Sequence, residues 1–300
     1  MKNFKKITIV LIASFVFSLL ASGCGDSVTG SSEPSSESAS ASEPASSQNP
    51  VHEVVIQIPS SAVPAAEPTS EPTSSEAPSA GPSSGDDLSK VIALTFDDGP
   101  STNTPSSTSR ILDVLEKYNA KATFFVQGIQ LTYAEFKDRN CAIVKREAAL
   151  GMQIGSHSFD HPDFNKKDAA EIQSQIDKSI QLISDAAGGY DVKIVRTPYG
   201  SQKQHVLDAI DMPIILWNID TMDWDTKDAD KTYQAIMDNV KGGSIVLMHD
   251  IYQATADAVE MVVPALIEKG YKLVTIDEMF RLYGQELKPH TVYARAKRPE

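Results

Sequence analysis

From residue 88 onward, short continuous apolar runs alternate with stretches whose apolar residues recur at helical spacing. The pattern predicts strands over 91–96, 122–126, 152–155, 193–196, 214–217, 244–248 and 272–276. These runs are apolar throughout rather than alternating, as strands covered on both faces are. Between them Ile172, Ile176, Ile180 and Ile183 fall on one face of a helix. Further helices are expected over 110–118, 231–240 and 254–269. Repeated strand–helix units of this length predict an α/β fold with a parallel sheet, either a barrel or an open doubly wound sheet. The polar residues with chemical potential all fall at or just past strand ends. Asp97 and Asp98 follow the first, His157 the third and Asp220 the fifth, while Arg196 and His249 end the fourth and sixth. Active sites of βα barrels gather at that end. Five strands aiming polar residues at one place favour a distorted (β/α) barrel of about seven parallel strands, TIM-barrel-like.

The first 87 residues have a different pattern. Lys2, Lys5 and Lys6 precede an almost wholly apolar run over 7–20, which is followed by small residues ending at Cys24. That run is shorter than the roughly 20 residues a membrane-spanning helix needs, and the order is that of a secretory signal. Leu20-Ala21-Ser22-Gly23-Cys24 resembles a bacterial lipobox, with Ala21 where that motif prefers Leu. The resemblance implies a signal peptide over 1–23 and a lipidated Cys24 that anchors the chain to the outside of the cytoplasmic membrane. The alternative is a secreted protein that loses Cys24 with its signal. Residues 25–87 contain no Phe, Trp or Tyr but hold 18 serines and nine of the 17 prolines. Such a segment cannot bury enough apolar surface to offset its ordering entropy, so 24–87 is expected to be a disordered, extended linker.

Charge narrows the function classes. The chain carries −13, of which 25–87 contributes −10 and the region after 87 contributes −6, offset by +3 at the N-terminus. With no concentrated basic surface, nucleic-acid binding is excluded. Two cysteines, Cys24 and Cys141, exclude a disulfide scaffold and a Cys₄ zinc site. With Cys24 lipidated, Cys141 is expected to be a buried reduced thiol. The catalytic domain is placed at 88–285, a single monomeric unit, with a basic tail over 286–300 that either packs or is disordered.

Five motifs remain, and each has a structural alternative. Thr95-Phe96-Asp97-Asp98-Gly99-Pro100 ends an apolar strand in two carboxylates but could be a turn. His157-Ser158-Phe159-Asp160-His161-Pro162 sets two imidazoles four apart, a spacing that suits a divalent metal but is weak alone. Arg196-Thr197-Pro198-Tyr199-Gly200 could be a surface turn. Asp220-Thr221-Met222-Asp223-Trp224 could cap a helix beside a core tryptophan. Ile245–His249 with Asp250 could be a buried strand with a satisfied histidine.

Together, in order and spacing, the five resemble the motifs of the polysaccharide deacetylases, carbohydrate esterase family 4, also called the NodB homology domain. The resemblance spans residues 88–283, with one departure: Thr197 stands where the family usually has Pro. It implies that Asp98, His157 and His161 bind a divalent metal, zinc first, with cobalt or nickel as alternatives. Three protein ligands leave positions open for water and substrate, as catalytic sites do. It implies that Asp97 is the general base, held ionised by Arg196, and that the Tyr199 main-chain N–H completes an oxyanion hole. It further implies that His249 is the general acid, that Asp220 pairs with it and raises its pKa, and that Trp224 and Leu247 line the acetyl pocket. Thr197 puts the substrate contacts of its loop in question.

The implied activity is metal-dependent hydrolysis of N-acetyl groups of an envelope polysaccharide, peptidoglycan N-acetylglucosamine first, because a lipoprotein outside the cytoplasmic membrane faces the wall. Chitooligosaccharides, an exopolysaccharide and O-acetyl xylan are alternative substrates, and an inactive carbohydrate-binding lipoprotein is an alternative class. The N-terminal reading has a direct check. Wild-type chain should incorporate labelled fatty acid in cells and Cys24→Ser should not; an unlabelled wild type rules the anchor out.

Overall fold

The computed structural model describes residues 87–297. The signal segment, Cys24 and the linker up to residue 86 lie outside the described residues, as do residues 298–300. The first half holds β1 (Val91–Asp97), α1 (Ser107–Lys117), β2 (Thr123–Val126), α2 (Lys137–Ala149), β3 (Gln153–Ser156) and α3 (Ala169–Ala186). Then come α4 (Gln204–Ala209), β4 (Ile214–Ile215), β5 (Ile219–Asp220), α5 (Asp223–Thr226), α6 (Ala229–Asn239) and β6 (Ile245–His249). The last elements are α7 (Gln253–Glu268), β7 (Lys272–Leu273), α8 (Ile276–Leu282) and β8 (Val292–Tyr293).

The main sheet is parallel, in the order β3-β2-β1-β6-β5, with β7 joined to the first residues of β1. Single parallel bridges, Ser156 to Val195 and Val195 to Ile214, carry the sheet on to β4, which pairs with β8. Among the described residues no ladder joins β4 to β5. The fold is therefore a barrel of parallel strands left open at that seam.

Strand alternation sorts the two faces of β1. Ile92, Leu94 and Phe96 pack outward with Ile111, Leu112 and Leu115 of α1 and with Val259, Val262 and Leu266 of α7. Val91 and Ala93 face the other way, into a cluster with Phe125, Ile194, Ile215 and Ile245. Continued by the same period, that inner face brings Thr95 and then Asp97 into the barrel. In β6, Val246 and Met248 belong to the outer cluster and Ile245 to the inner one. Leu247 and His249 therefore share the inner face, and Asp97 stands in register with His249. The sequence thus delivers both functional side chains to the strand ends through ordinary strand periodicity.

Several expectations change. The run 193–196 makes only the Val195 bridge, because Arg196 turns into the barrel and spends its donors on the seam. The expected strand over 272–276 stops at Leu273, since Thr275 caps α8 by accepting the Glu278 N–H and the chain becomes helical at Ile276. Only two residues of 214–217 form a strand, and Asp220 lies in a short separate strand, β5. In α3, Ile172, Ile176 and Ile183 are buried while Ile180 is only partly so. Cys141 is a free thiol, half-buried rather than buried. The segment after 285 packs: β8 pairs with β4, and Arg295 bridges to Ser244.

One buried group works against this packing. Glu147 of α2 is fully buried, and neither carboxylate oxygen has a hydrogen-bond partner. Burial, then the nearby Asp250 carboxylate, holds it well above the ordinary value of 4.5. The folded chain thus keeps a proton that the unfolded chain releases, so stability falls as pH rises above that ordinary value. Glu147→Gln removes this loss. By calorimetry its Tm should exceed the wild type by roughly 2–8 °C at pH 7, and the gap should close toward pH 4. A gap independent of pH would show that the carboxyl is satisfied as it stands.

Candidate active site

β1 ends in Asp97, and Asp98 then takes a left-handed backbone, φ 73°. That conformation breaks the strand alternation and lets both neighbours face one cavity. Gly99 follows because nothing larger fits: a Cβ there would collide with the buried Asp250 carboxylate. Asp250 in turn accepts the Thr108 hydroxyl at 2.5 Å, and Thr108 accepts the Ser101 N–H at 2.8 Å. The loop after β1 is thereby fastened to the start of α1.

The two histidines of the next motif sit on a loop beyond β3. Ser158 and His161 both have positive φ, 66° and 62°. The Ser158 hydroxyl accepts the His161 N–H at 3.0 Å, and Gln175 of α3 accepts the N–H groups of Phe159 and Asp160 at 3.0 and 3.1 Å. This closed turn brings the two rings to 4.9 Å between centroids. Asp98 Oδ1 lies 3.6 Å from His157 Nε2 and 3.7 Å from His161 Nε2.

These three residues fit a divalent metal. Asp98 Oδ1 is buried with no hydrogen-bond partner, and the three ligand atoms all lie within 4.8 Å of one another. Tetrahedral ligands at metal distances of about 2.0–2.2 Å stand roughly 3.4 Å apart. His157 Nδ1 is engaged by the Arg196 carbonyl at 2.8 Å, which fixes the tautomer that leaves a lone pair on Nε2. Burial pushes His157 down to about 3, against the pull of the Asp98 carboxylate, so the ring is neutral and able to ligate.

Asp97 meets a different partner. Its Oδ1 accepts from Arg196 Nη1 at 2.7 Å, while Oδ2 turns toward His157 Nε2 at 3.6 Å. Arg196 is wholly buried, and each of its three guanidinium nitrogens is hydrogen-bonded. Nη1 also donates to Thr95 Oγ1 at 2.8 Å, Nε to the Ile215 carbonyl at 2.9 Å, and Nη2 to the Leu216 carbonyl at 3.1 Å. Its guanidinium lies over the Phe125 ring, 4.1 Å from the centroid. Burial raises Asp97 above the ordinary carboxylate value, with the Arg196 charge pulling it back.

Here the implied pairing of Asp220 with His249 is overturned. His249 Nδ1 engages Asp223 Oδ1 at 2.8 Å, and Asp223 Oδ2 accepts the His249 main-chain N–H and the Thr255 hydroxyl, each at 2.7 Å. Asp220 is exposed at the end of β5, and its Oδ1 accepts the Met222 N–H. Three residues further on, the chain has turned into α5, and there the carboxylate faces β6. Burial disfavours charge on His249. The Asp223 carboxylate, by hydrogen bond and by charge, outweighs it with help from Asp97 and Asp98, lifting the ring to about 9.

Asp97, Asp98, His157, His161, Tyr199, Asp220, Trp224, Leu247 and His249 line one cavity of about 380 Å³, with Arg196 behind Asp97. Tyr199, in a left-handed turn at φ 57°, is 71% exposed, and Trp224 is 45% exposed, so two aromatics stand at the rim. Thr197 keeps its loop closed, its hydroxyl donating to the Ser201 carbonyl at 2.8 Å. Sequence reasoning missed Asp223, Trp217 and Tyr252, of which the last two also line the cavity. The only available signal for Asp223 was a second carboxylate beside Trp224.

A family model for polysaccharide deacetylase matches residues 84–212. The chain is 42% identical over 199 residues to a peptidoglycan-N-acetylglucosamine deacetylase of Listeria monocytogenes, covering 66% of this chain and 40% of that protein. It thus spans well under half the length of that relative. A solved deacetylase with substrate, 38% identical, superposes with a TM-score of 0.63 over 70% of this chain and all of that one. A family 4 acetyl xylan esterase from Clostridium thermocellum, solved with a cobalt ion, is 30% identical with a TM-score of 0.62, over 69% of this chain and 98% of that one.

The charge on His249 depends on Asp223 alone among its hydrogen-bond partners. Titrated by NMR, the wild-type ring should show a midpoint near 9, and Asp223→Asn should lower it by at least about one unit. An unmoved midpoint would mean that Asp97 and Asp98 hold the proton instead.

Proposed function

The chain belongs to the polysaccharide deacetylase family, and on that premise we propose that it hydrolyses N-acetyl groups of an envelope polysaccharide, peptidoglycan N-acetylglucosamine first. The observation that carries this reading is one cavity in which a buried carboxylate held by arginine, a Asp–His–His ligand set and a carboxylate-bound histidine face one another. Amide hydrolysis asks for these parts together: an activated water, a polarised carbonyl and a proton for the departing amine.

Asp98, His157 and His161 would hold the divalent metal, zinc by preference. When bound, it supplies Lewis acidity at the acetyl carbonyl and makes the attacking water more acidic. Asp97 takes the proton of that water on Oδ2, the oxygen that Arg196 leaves uncommitted. The Tyr199 main-chain N–H offers a donor to the oxygen that becomes negative. His249, with Nδ1 committed to Asp223, presents Nε2 to the cavity and protonates the amine as the C–N bond breaks. Acetate and a free amino sugar leave.

Trp224 and Leu247 form the wall that accommodates the acetyl methyl, and the exposed rings of Tyr199 and Trp224 suit the apolar faces of sugars. Peptidoglycan is favoured over other acetylated glycans by address, with the chain held outside the cytoplasmic membrane through Cys24. Acetate release from sacculi, chitooligosaccharides and acetyl xylan, measured side by side, tests that order; a clear preference for xylan would overturn it.

The site makes two demands on adjacent residues. Chelation should abolish acetate release and added Zn²⁺ should restore it. Asp97→Asn should keep its metal while turnover falls about 10²- to 10⁴-fold, whereas Asp98→Asn should lose metal as well. Metal content by mass spectrometry beside kcat checks both, and a metal-free Asp97→Asn with a metal-replete Asp98→Asn would reverse the assignment.

A further inference from the structure

Asp220 reaches the cavity yet forms no hydrogen bond or ion pair with His249, and its place in the fold points to another task. It ends β5, and its Oδ1 accepts the N–H of Met222, two residues on, at 2.9 Å. Among the described residues its carboxylate has no other hydrogen bond or ion pair. A side chain that binds the amide two residues ahead closes a turn that the backbone would otherwise have to hold unaided.

That turn has a specific cost and a specific product. Met222 adopts a left-handed backbone, φ 56° and ψ 27°, which side chains other than Gly, Asn and Asp resist. Its carbonyl accepts the N–H groups of Asp225 at 3.2 Å and Thr226 at 2.9 Å, so the reversal at Met222 starts α5 at Asp223. A helix of four residues has no stability of its own. Between the two ends, the Thr221 hydroxyl donates to the Leu247 carbonyl at 2.8 Å and ties the turn to β6. Asp223 then emerges facing His249, gripping both its main-chain N–H and its ring.

We propose that Asp220 is a positioning residue: its carboxylate enforces the left-handed turn at Met222 that aims Asp223 at His249. The inference rests on His249 acting as the proton donor. It gives the first carboxylate of Asp220-Thr221-Met222-Asp223 a conformational task and the second an electrostatic one.

The two tasks separate by substitution in the purified full chain. Asp220→Ala removes the acceptor, and kcat on an N-acetyl sugar should fall by about tenfold, with KM and metal content little changed. The NMR midpoint of His249 should drop from about 9 toward ~6.5. Asp220→Asn retains the Oδ1 acceptor without the charge, and as the conservative variant it should recover most of kcat and the midpoint. Adding Met222→Gly to Asp220→Ala should recover at least about half of the lost kcat, because glycine adopts the left-handed turn without assistance. Met222 is 39% exposed, so its truncation takes little from the core. Equal losses in Asp220→Ala and Asp220→Asn, unrescued by Met222→Gly, would overturn the proposal in favour of a charged contact to substrate. Wild-type kcat in Asp220→Ala would overturn it too. If His249→Ala leaves deacetylation intact, the proton-donor reading itself has failed; if His249→Ala is inactive and Asp220→Ala is not, only the turn inference falls.

Discussion

The interaction on which the rest depends is the buried pair of Arg196 and Asp97. A guanidinium withdrawn from water needs hydrogen-bond acceptors, and Arg196 finds four of them across the barrel. It joins the end of β1, through Asp97 and Thr95, to the carbonyls of Ile215 and Leu216. Those carbonyls belong to the seam where no ladder joins β4 to β5. One side chain therefore ties the β4 edge of that seam to β1 across the barrel and fixes a carboxylate in the cavity. Removing one member of a buried pair leaves the other uncompensated, typically at about 3–5 kcal/mol, so fold and chemistry share this residue.

Around that pair, two histidines of the same kind are held in opposite states. His157 is buried against a backbone carbonyl and sits at about 3; His249 is bound to a carboxylate and sits at about 9. Desolvation acts on both in the same direction. The difference is the hydrogen-bond partner: His249 is bonded directly to the Asp223 carboxylate, whereas His157 is bonded to a backbone carbonyl and has the Asp98 carboxylate only at 3.6 Å, too little to offset its burial. Neutral pH thus finds one ring with a free lone pair and the other with a proton to give, the separation of roles that acid–base sites require.

Strained backbone also gathers beyond the strand ends. Asp98, Ser158, His161, Tyr199 and Met222 all have positive φ, and none is glycine. Such positions cluster at functional sites because the surrounding structure over-determines them. Here the over-determination is visible: Asp250 and Thr108 behind Asp98, Gln175 and the Ser158 hydroxyl at the histidine loop, Thr197 at Tyr199, and Asp220 at Met222. Asp98, His161 and Tyr199 thereby face the cavity themselves, while the turn at Met222 brings Asp223 to His249.

Strand and helix periodicity were legible in the chain itself, since β1, β2, β3 and β6 are long enough for burial to impose a run, and α1, α3, α6 and α7 long enough to show a face. The convergence of Asp97, His157 and His249 followed, because a parallel sheet brings successive strand ends to one side. Two-residue strands such as β5 and β8 carry no period to read. Nor could 193–196 be told from a strand, because its fate lies in where the Arg196 donors find acceptors. The choice between Asp220 and Asp223 was likewise closed to sequence. Both are carboxylates three residues apart, and which one meets His249 is decided by a left-handed methionine between them, a conformation that methionine does not advertise and that only its hydrogen-bonded surroundings impose.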